Sequence, residues 1–112
     1  MADTLGTFEQ AVLLAVIRLG DDAYGRAVFK QVAERLQREI AAGAVHATLE
    51  RLEGKGFVTS RLGPGTEIRG GRARRYYRLS PAGLCALNDA RAAVEGIWRG
   101  IDWPLTKNKR YA

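Results

Sequence analysis

The hydrophobic period of this chain changes twice, and those changes fix the kinds of layer it can build. Up to Gly54 the apolar residues recur at three- and four-residue steps; Phe57 to Leu62 and Arg72 to Leu79 then suit strands; at Ser80-Pro81 a helical period returns. With 112 residues there is room for about one domain and one core. The expected fold class is therefore α+β and mainly helical: three helices, a two-stranded hairpin and a closing helix.

Each element has start and stop signals. Thr7 with Gln10 three residues on reads as a capping box, Phe8, Val12, Ala15, Val16 and Leu19 share a helical face, and Gly20 breaks it. Asp21 and Asp22 precede a second helix carrying Val28, Val32 and Leu36. Gly43 opens a third, with Val45, Leu49 and Leu52 on one face and Gly54 and Gly56 at its end. Gly63, Pro64, Gly65, Gly70 and Gly71 mark the tip of the hairpin. In its second strand Arg75, Tyr77 and Leu79 alternate with Arg74, Tyr76 and Arg78, so Arg75 shares an inward face with Tyr77 and Leu79, which gives it a supporting role in the sheet. Ser80 as N-cap and Pro81 as first helical residue start a fourth helix expected to reach about Ile101. The domain division is 1–80 for the three helices and hairpin, 81–103 for the fourth helix, and 104–112 for a basic tail.

Residue scarcity excludes much chemistry. A single cysteine, Cys85, closes no internal disulfide and builds no structural zinc site; it reads as a small buried residue, with redox sensing the alternative. One histidine, His46, forms no metal cluster, and no candidate nucleophile stands in a catalytic context, so the expectation is no metal, no cofactor and no enzyme. The longest apolar run, Ala11 to Ile17, is far shorter than the roughly 18 residues of a membrane span. Asp3 and Glu9 do not resemble a basic secretory leader, so the expected location is the cytoplasm, without membrane association.

Charge supplies the positive evidence. The 18 Lys and Arg exceed the 12 Asp and Glu by six, and from Arg61 to Arg78 six arginines face one acid, Glu67. Five of the six net positive charges thus belong to the hairpin, where guanidinium forks suit phosphate. Three helices followed by a basic hairpin form a winged helix-turn-helix, which inserts its third helix into the major groove of duplex DNA while the wing reaches the flanking backbone or minor groove.

Candidate DNA contacts follow from that geometry. Gly43 and Ala44 allow close approach of first-turn amides to phosphate. With Val45, Leu49 and Leu52 inward, Ala47 turns away from the core and His46 and Arg51 flank it. Ala44, Ala47 or Thr48 would touch a thymine methyl, His46 a guanine or a phosphate, and Arg51 is the charged contact. His46 has two other readings: an exposed residue without a role, and a pH switch. Arg69, Arg72 and Arg74 on the wing suit phosphate or minor-groove contact, against plain solubility.

The same residues resemble the PadR family of bacterial transcriptional regulators. Leu5-Gly6, Glu9 and Val12 to Leu19 are similar to its first helix, and Tyr24-Gly25 to the pair opening its second. GAVHATLERLEGKGFV, Gly43 to Val58, resembles its recognition helix, and RARRYYRLSPAGLCAL, Arg72 to Leu87, its wing-to-helix junction. The resemblance implies a homodimeric repressor that binds a palindromic operator and leaves it when a small molecule, often aromatic, binds. It also implies a compact subclass whose single C-terminal helix dimerises, and adds Tyr24 to the DNA-binding set. His46 stands where members commonly have a phosphate-contacting tyrosine, and Ala42 where they have serine or proline.

On the fourth helix Leu84, Leu87, Val94, Ile97, Trp98 and Ile101 form an apolar stripe wide enough for a partner helix. The alternative is that the stripe covers the chain's own core. Trp98 and Trp103 either simply pack together or sandwich a planar aromatic effector near the dimer axis. The rival function classes are a basic RNA-binding module and a protein-interaction adaptor. Tyrosines in the sheet and a glycine-arginine tip favour duplex DNA over RNA.

Overall fold

The computed structural model describes residues 4–63 and 73–106. Helix α1 (Thr7–Leu19) leads through a short 3-10 turn (Gly20–Asp22) to α2 (Gly25–Leu36) and α3 (Ala42–Gly54); strands β1 (Val58–Leu62) and β2 (Arg75–Leu79) follow, then α4 (Pro81–Trp98). The order and type of elements are those the periodicity predicts.

The caps explain the boundaries, and one corrects the sequence reading. Gly6, rather than Thr7, caps α1: the Gly6 amide donates to Glu9 Oε1 at 3.0 Å, while Gln10 Nε2 donates to the Leu5 carbonyl at 2.9 Å. The reciprocal partner of the amide is thus a carboxylate one position earlier than expected. At α4 the expectation holds, since Ser80 Oγ accepts from the Gly83 amide at 3.0 Å with Pro81 in the first turn. That helix ends at Trp98 instead of Ile101, because Arg99 leaves the helical region and Gly100 has φ 86°.

Val12, Leu13, Val28, Val32, Val45, Leu49, Leu52 and Val58 lose all or nearly all contact with solvent and form the centre of the core. They come from α1, α2, α3 and β1, so the hairpin is seated on the three-helix body. β1 and β2 pair antiparallel with Val58 opposite Leu79 and Arg61 opposite Tyr76. A third extended segment joins them: Tyr24 bridges Tyr76, and the Tyr77 amide donates to the Ala23 carbonyl at 2.8 Å. These contacts tie the wing root to the start of α2.

α4 is anchored only at its beginning. Leu87 and Ala90 enter the core, whereas every residue from Arg91 to the end of the helix is exposed. Gly83 makes the anchorage possible, since a β-carbon there would overlap the Phe57 carbonyl. No helix among the described residues is long and apolar enough to cross a membrane.

Candidate nucleic-acid interface

The outer face of α3 is built from small and polar residues because its inner face is fully used. Gly43, Ala44, His46, Ala47, Glu50 and Arg51 are exposed, while Val45, Thr48, Leu49 and Leu52 are buried. Thr48 is therefore withdrawn from the groove-facing set. At 2% exposure it extends the core stripe, and its hydroxyl accepts from Arg51 Nη2 at 3.1 Å. Threonine reads as polar in a sequence, but its methyl fits an i, i+3, i+4 apolar face. No side chain caps α3, whose first turn presents Ala42 and Gly43 to solvent.

Three of the expected contact residues converge from three elements. Tyr24 at the start of α2, His46 on α3 and Arg74 before β2 line one concavity of about 330 Å³ together with Gly25, Arg26, Arg75 and Tyr77. Its charged lining is three arginines without an acid. Such a hollow at a helix N-terminus attracts an anion through both guanidinium charge and backbone amides. Arg26 was not singled out by the sequence reading; its place in the first turn of α2, two residues after Tyr24, is the signal that identifies it.

The guanidinium of Arg74 lies 4.1 Å from the centre of the Tyr24 ring. Arg75 behaves as the alternation implies in one respect: its Nη1 donates to Ser60 Oγ at 2.9 Å, and Ser60 donates to Glu53 Oε2 at 2.6 Å. It does so from an exposed position, because β2 runs past the edge of the core there. Arg69 and Arg72 lie outside the described residues. His46 Nε2 is 3.3 Å from Glu50 Oε1, one turn along the exposed face.

Two groups in the supporting body have displaced titrations. Partial burial works to raise the carboxyl of Glu9, but the Gly6 amide and the charges of Lys55 and Arg51 outweigh it and hold the group below its ordinary value. Burial, reinforced by Glu53, pushes the Tyr77 phenol up, with Arg75 opposing.

α4 carries the apolar stripe. Leu84, Val94 and Ile97 are exposed at 51%, 45% and 79%, so they do not cover the chain's own core; Leu87 packs into that core while also lining the groove beside Leu84 and Val94. Leu14 and Ile17 of α1, which the sequence reading did not include, join Leu84 and Val94 along a groove of about 510 Å³. Their signal is the Ala11 to Ile17 run, apolar around more than one face of α1. Cys85 is exposed rather than buried, since the contact of α4 with the body is narrow.

Trp98 and Trp103 meet edge to face, centroids 5.4 Å apart and planes at 87°. This contact is of the kind the packing alternative describes. With Ile101 they border an open hollow of about 350 Å³. Among the described residues no group of His, Cys, Asp and Glu could hold a metal ion.

Comparison with known proteins agrees with this geometry. The chain is 39% identical over 62 residues to the transcriptional regulator Rv3488 of Mycobacterium tuberculosis, an alignment covering 55% of this chain and only 54% of that protein. Its fold is similar to that of a PadR family transcription regulator from Clostridium difficile, with a TM-score of 0.66, 26% identity, and 82% of this chain and 91% of the other covered. A PadR family transcriptional regulator from Eggerthella lenta matches with a TM-score of 0.63, 28% identity, and 80% and 76% coverage. All three are regulators of transcription. The family described as transcriptional regulator PadR-like matches residues 13–89, from α1 through the strand of Tyr76 and Tyr77 and into α4; over that span, well beyond half its length, the chain belongs to this family.

Proposed function

We propose that the chain is a homodimeric, sequence-specific regulator that binds duplex DNA at a palindromic operator, acting as a cytoplasmic repressor released by a small aromatic ligand. The observation that carries the reading is the convergence of Tyr24, His46 and Arg74, with Arg26 and Arg75, beside the exposed face of α3. α3 enters the major groove, with Gly43, Ala44 and Ala47 allowing close approach and His46 and Arg51 at its flanks. Arg74, with Arg69 and Arg72, holds phosphates alongside.

Pairing is supported by the unsatisfied apolar face. A second copy covering Leu84, Val94 and Ile97 of α4 with Leu14 and Ile17 of α1 removes that surface from water and presents two recognition helices about 34 Å apart. Trp98 and Ile101 continue this surface beyond the body. An aromatic ligand would rest against one tryptophan face in the hollow bordered by Trp98, Ile101 and Trp103. By this division residues 1–80 bind DNA, 81–103 dimerise, and 104–112 add a basic tail.

The test is a gel-shift assay on the region upstream of the protein's own gene, against random DNA and RNA, with and without aromatic compounds. Preferential binding to that region, steeply weakened by salt, is the expected result. Equal binding to RNA and random DNA overturns it.

A further inference from the structure

Register places two side-chain rows on the outer face of the wing. Val58, Tyr77 and Leu79 turn toward the core, which leaves Thr59 with Arg78 and Arg61 with Tyr76 on the other side. Tyr24 bridges Tyr76 and extends the second row across three segments. Along that row the contacts alternate cation and ring. Arg74 lies over Tyr24 at 4.1 Å, Tyr24 meets Tyr76 edge to face at 5.8 Å, and Arg61 lies over Tyr76 at 5.0 Å.

We propose that this row is a two-pronged phosphate clamp in which Arg61 is a second backbone-contacting guanidinium and Tyr76 is the positioning residue that holds it in line with Arg74. The inference rests on the duplex-binding reading and adds two residues that it did not contain. A guanidinium lying over a ring is held by its face and keeps its N–H groups in its own plane, directed outward for phosphate oxygens. The ring also removes much of the rotamer freedom that a long exposed side chain would otherwise lose on binding. Among the described residues no ion pair engages either Arg61 or Arg74, whereas Arg78 in the neighbouring row is 3.5 Å from Asp21.

Local structure is fitted to the row. Gly63 follows β1 where a β-carbon would collide with the Tyr76 ring, and its amide donates to the Arg74 carbonyl at 2.7 Å. The close approach lets the ring lie against the strand end. Each tyrosine already carries a guanidinium over its ring, so the row suits a sugar-phosphate backbone better than stacked bases.

Phosphate contacts do not depend on sequence, so a labelled mixed-sequence duplex is a sufficient probe, read by fluorescence anisotropy across a salt series. Arg61→Gln should reduce the slope of log affinity against log salt by about 0.9, the value of one phosphate contact. Tyr76→Leu should reduce it by roughly 0.9 to 1.8, and Tyr76→Phe, which keeps the ring, should restore the original slope. Thermal unfolding by circular dichroism accompanies each variant, and Arg61→Gln, at an exposed position, serves should Tyr76→Leu fail to fold. An unaltered slope in Arg61→Gln, with the unsubstituted protein binding normally, overturns the clamp alone. Failure of the unsubstituted protein to bind the duplex removes the duplex-binding reading itself, and the clamp with it.

Discussion

His46 Nε2 stands 3.3 Å from Glu50 Oε1 on the face of α3 that points away from the core, so the recognition helix carries an acid beside its single imidazole. The carboxylate opposes a polyanion at close range and also occupies the histidine nitrogen. Glu50→Gln should therefore tighten binding to mixed-sequence duplex by roughly 2- to 5-fold, the scale of an exposed charge interaction. His46→Ala should alter the order of preference among operator sequences more than the salt slope. Competition gel shifts with several duplexes measure both; unchanged preference after the histidine substitution would argue against its reading bases.

Pairing through the exposed stripe predicts a clean change of mass. Val94→Asp and Ile97→Asp each place a charge in the centre of an apolar contact, and multi-angle scattering after gel filtration should show a dimer reduced to monomer. Neither residue is buried in the single chain, so circular dichroism should show helix content retained. A monomeric unsubstituted protein would remove the premise.

The junction of wing and α4 should be sensitive to very small changes. Ser80→Ala removes the acceptor for the Gly83 amide and the donor to the Gly56 carbonyl, and should cost about 1 kcal/mol or somewhat more, read from denaturant unfolding. Gly83→Ala adds only a methyl but drives it against the Phe57 carbonyl, and should cost roughly 1–3 kcal/mol.

Acid stability should follow Glu9. Its folded-state carboxyl titrates below the ordinary 4.5, so its contribution is fully present above that pH and is lost as pH falls through the lowered value. Lys55 Nζ, 3.3 Å from Glu9 Oε2, belongs to the C-cap of α3, so this pair joins the two ends of the helical body. Glu9→Gln should cost roughly 0.5–1 kcal/mol at neutral pH and flatten the acid limb of a stability-pH curve. A parallel curve for wild type and variant would contradict this.

What the sequence made legible was whatever depends on neighbours along the chain. Ser80-Pro81, the Val45-Leu49-Leu52 face and the strand alternation around Tyr77 each state a local geometry, and α2, α3, the wing and the start of α4 lie where those signals put them. What depended on distant packing was not legible. Thr48 is buried because α3 turns a wider face inward than its aliphatic residues mark, and Cys85 is exposed because α4 touches the body over only a few turns. Leu14 and Ile17 stand outside the helical face that Val12, Ala15 and Val16 mark, and they stay exposed because α1 has more apolar surface than its own domain covers. The partnership of Arg61 with Tyr76 needed the register, which fourteen intervening residues conceal.

Only one residue separates β2 from α4, and it is held at both ends. The Ser80 amide donates to Phe57, its hydroxyl reaches Gly56, and Gly83 sits flush on the same stretch of backbone. The direction in which α4 leaves the body is therefore set by backbone contacts at the base of the wing.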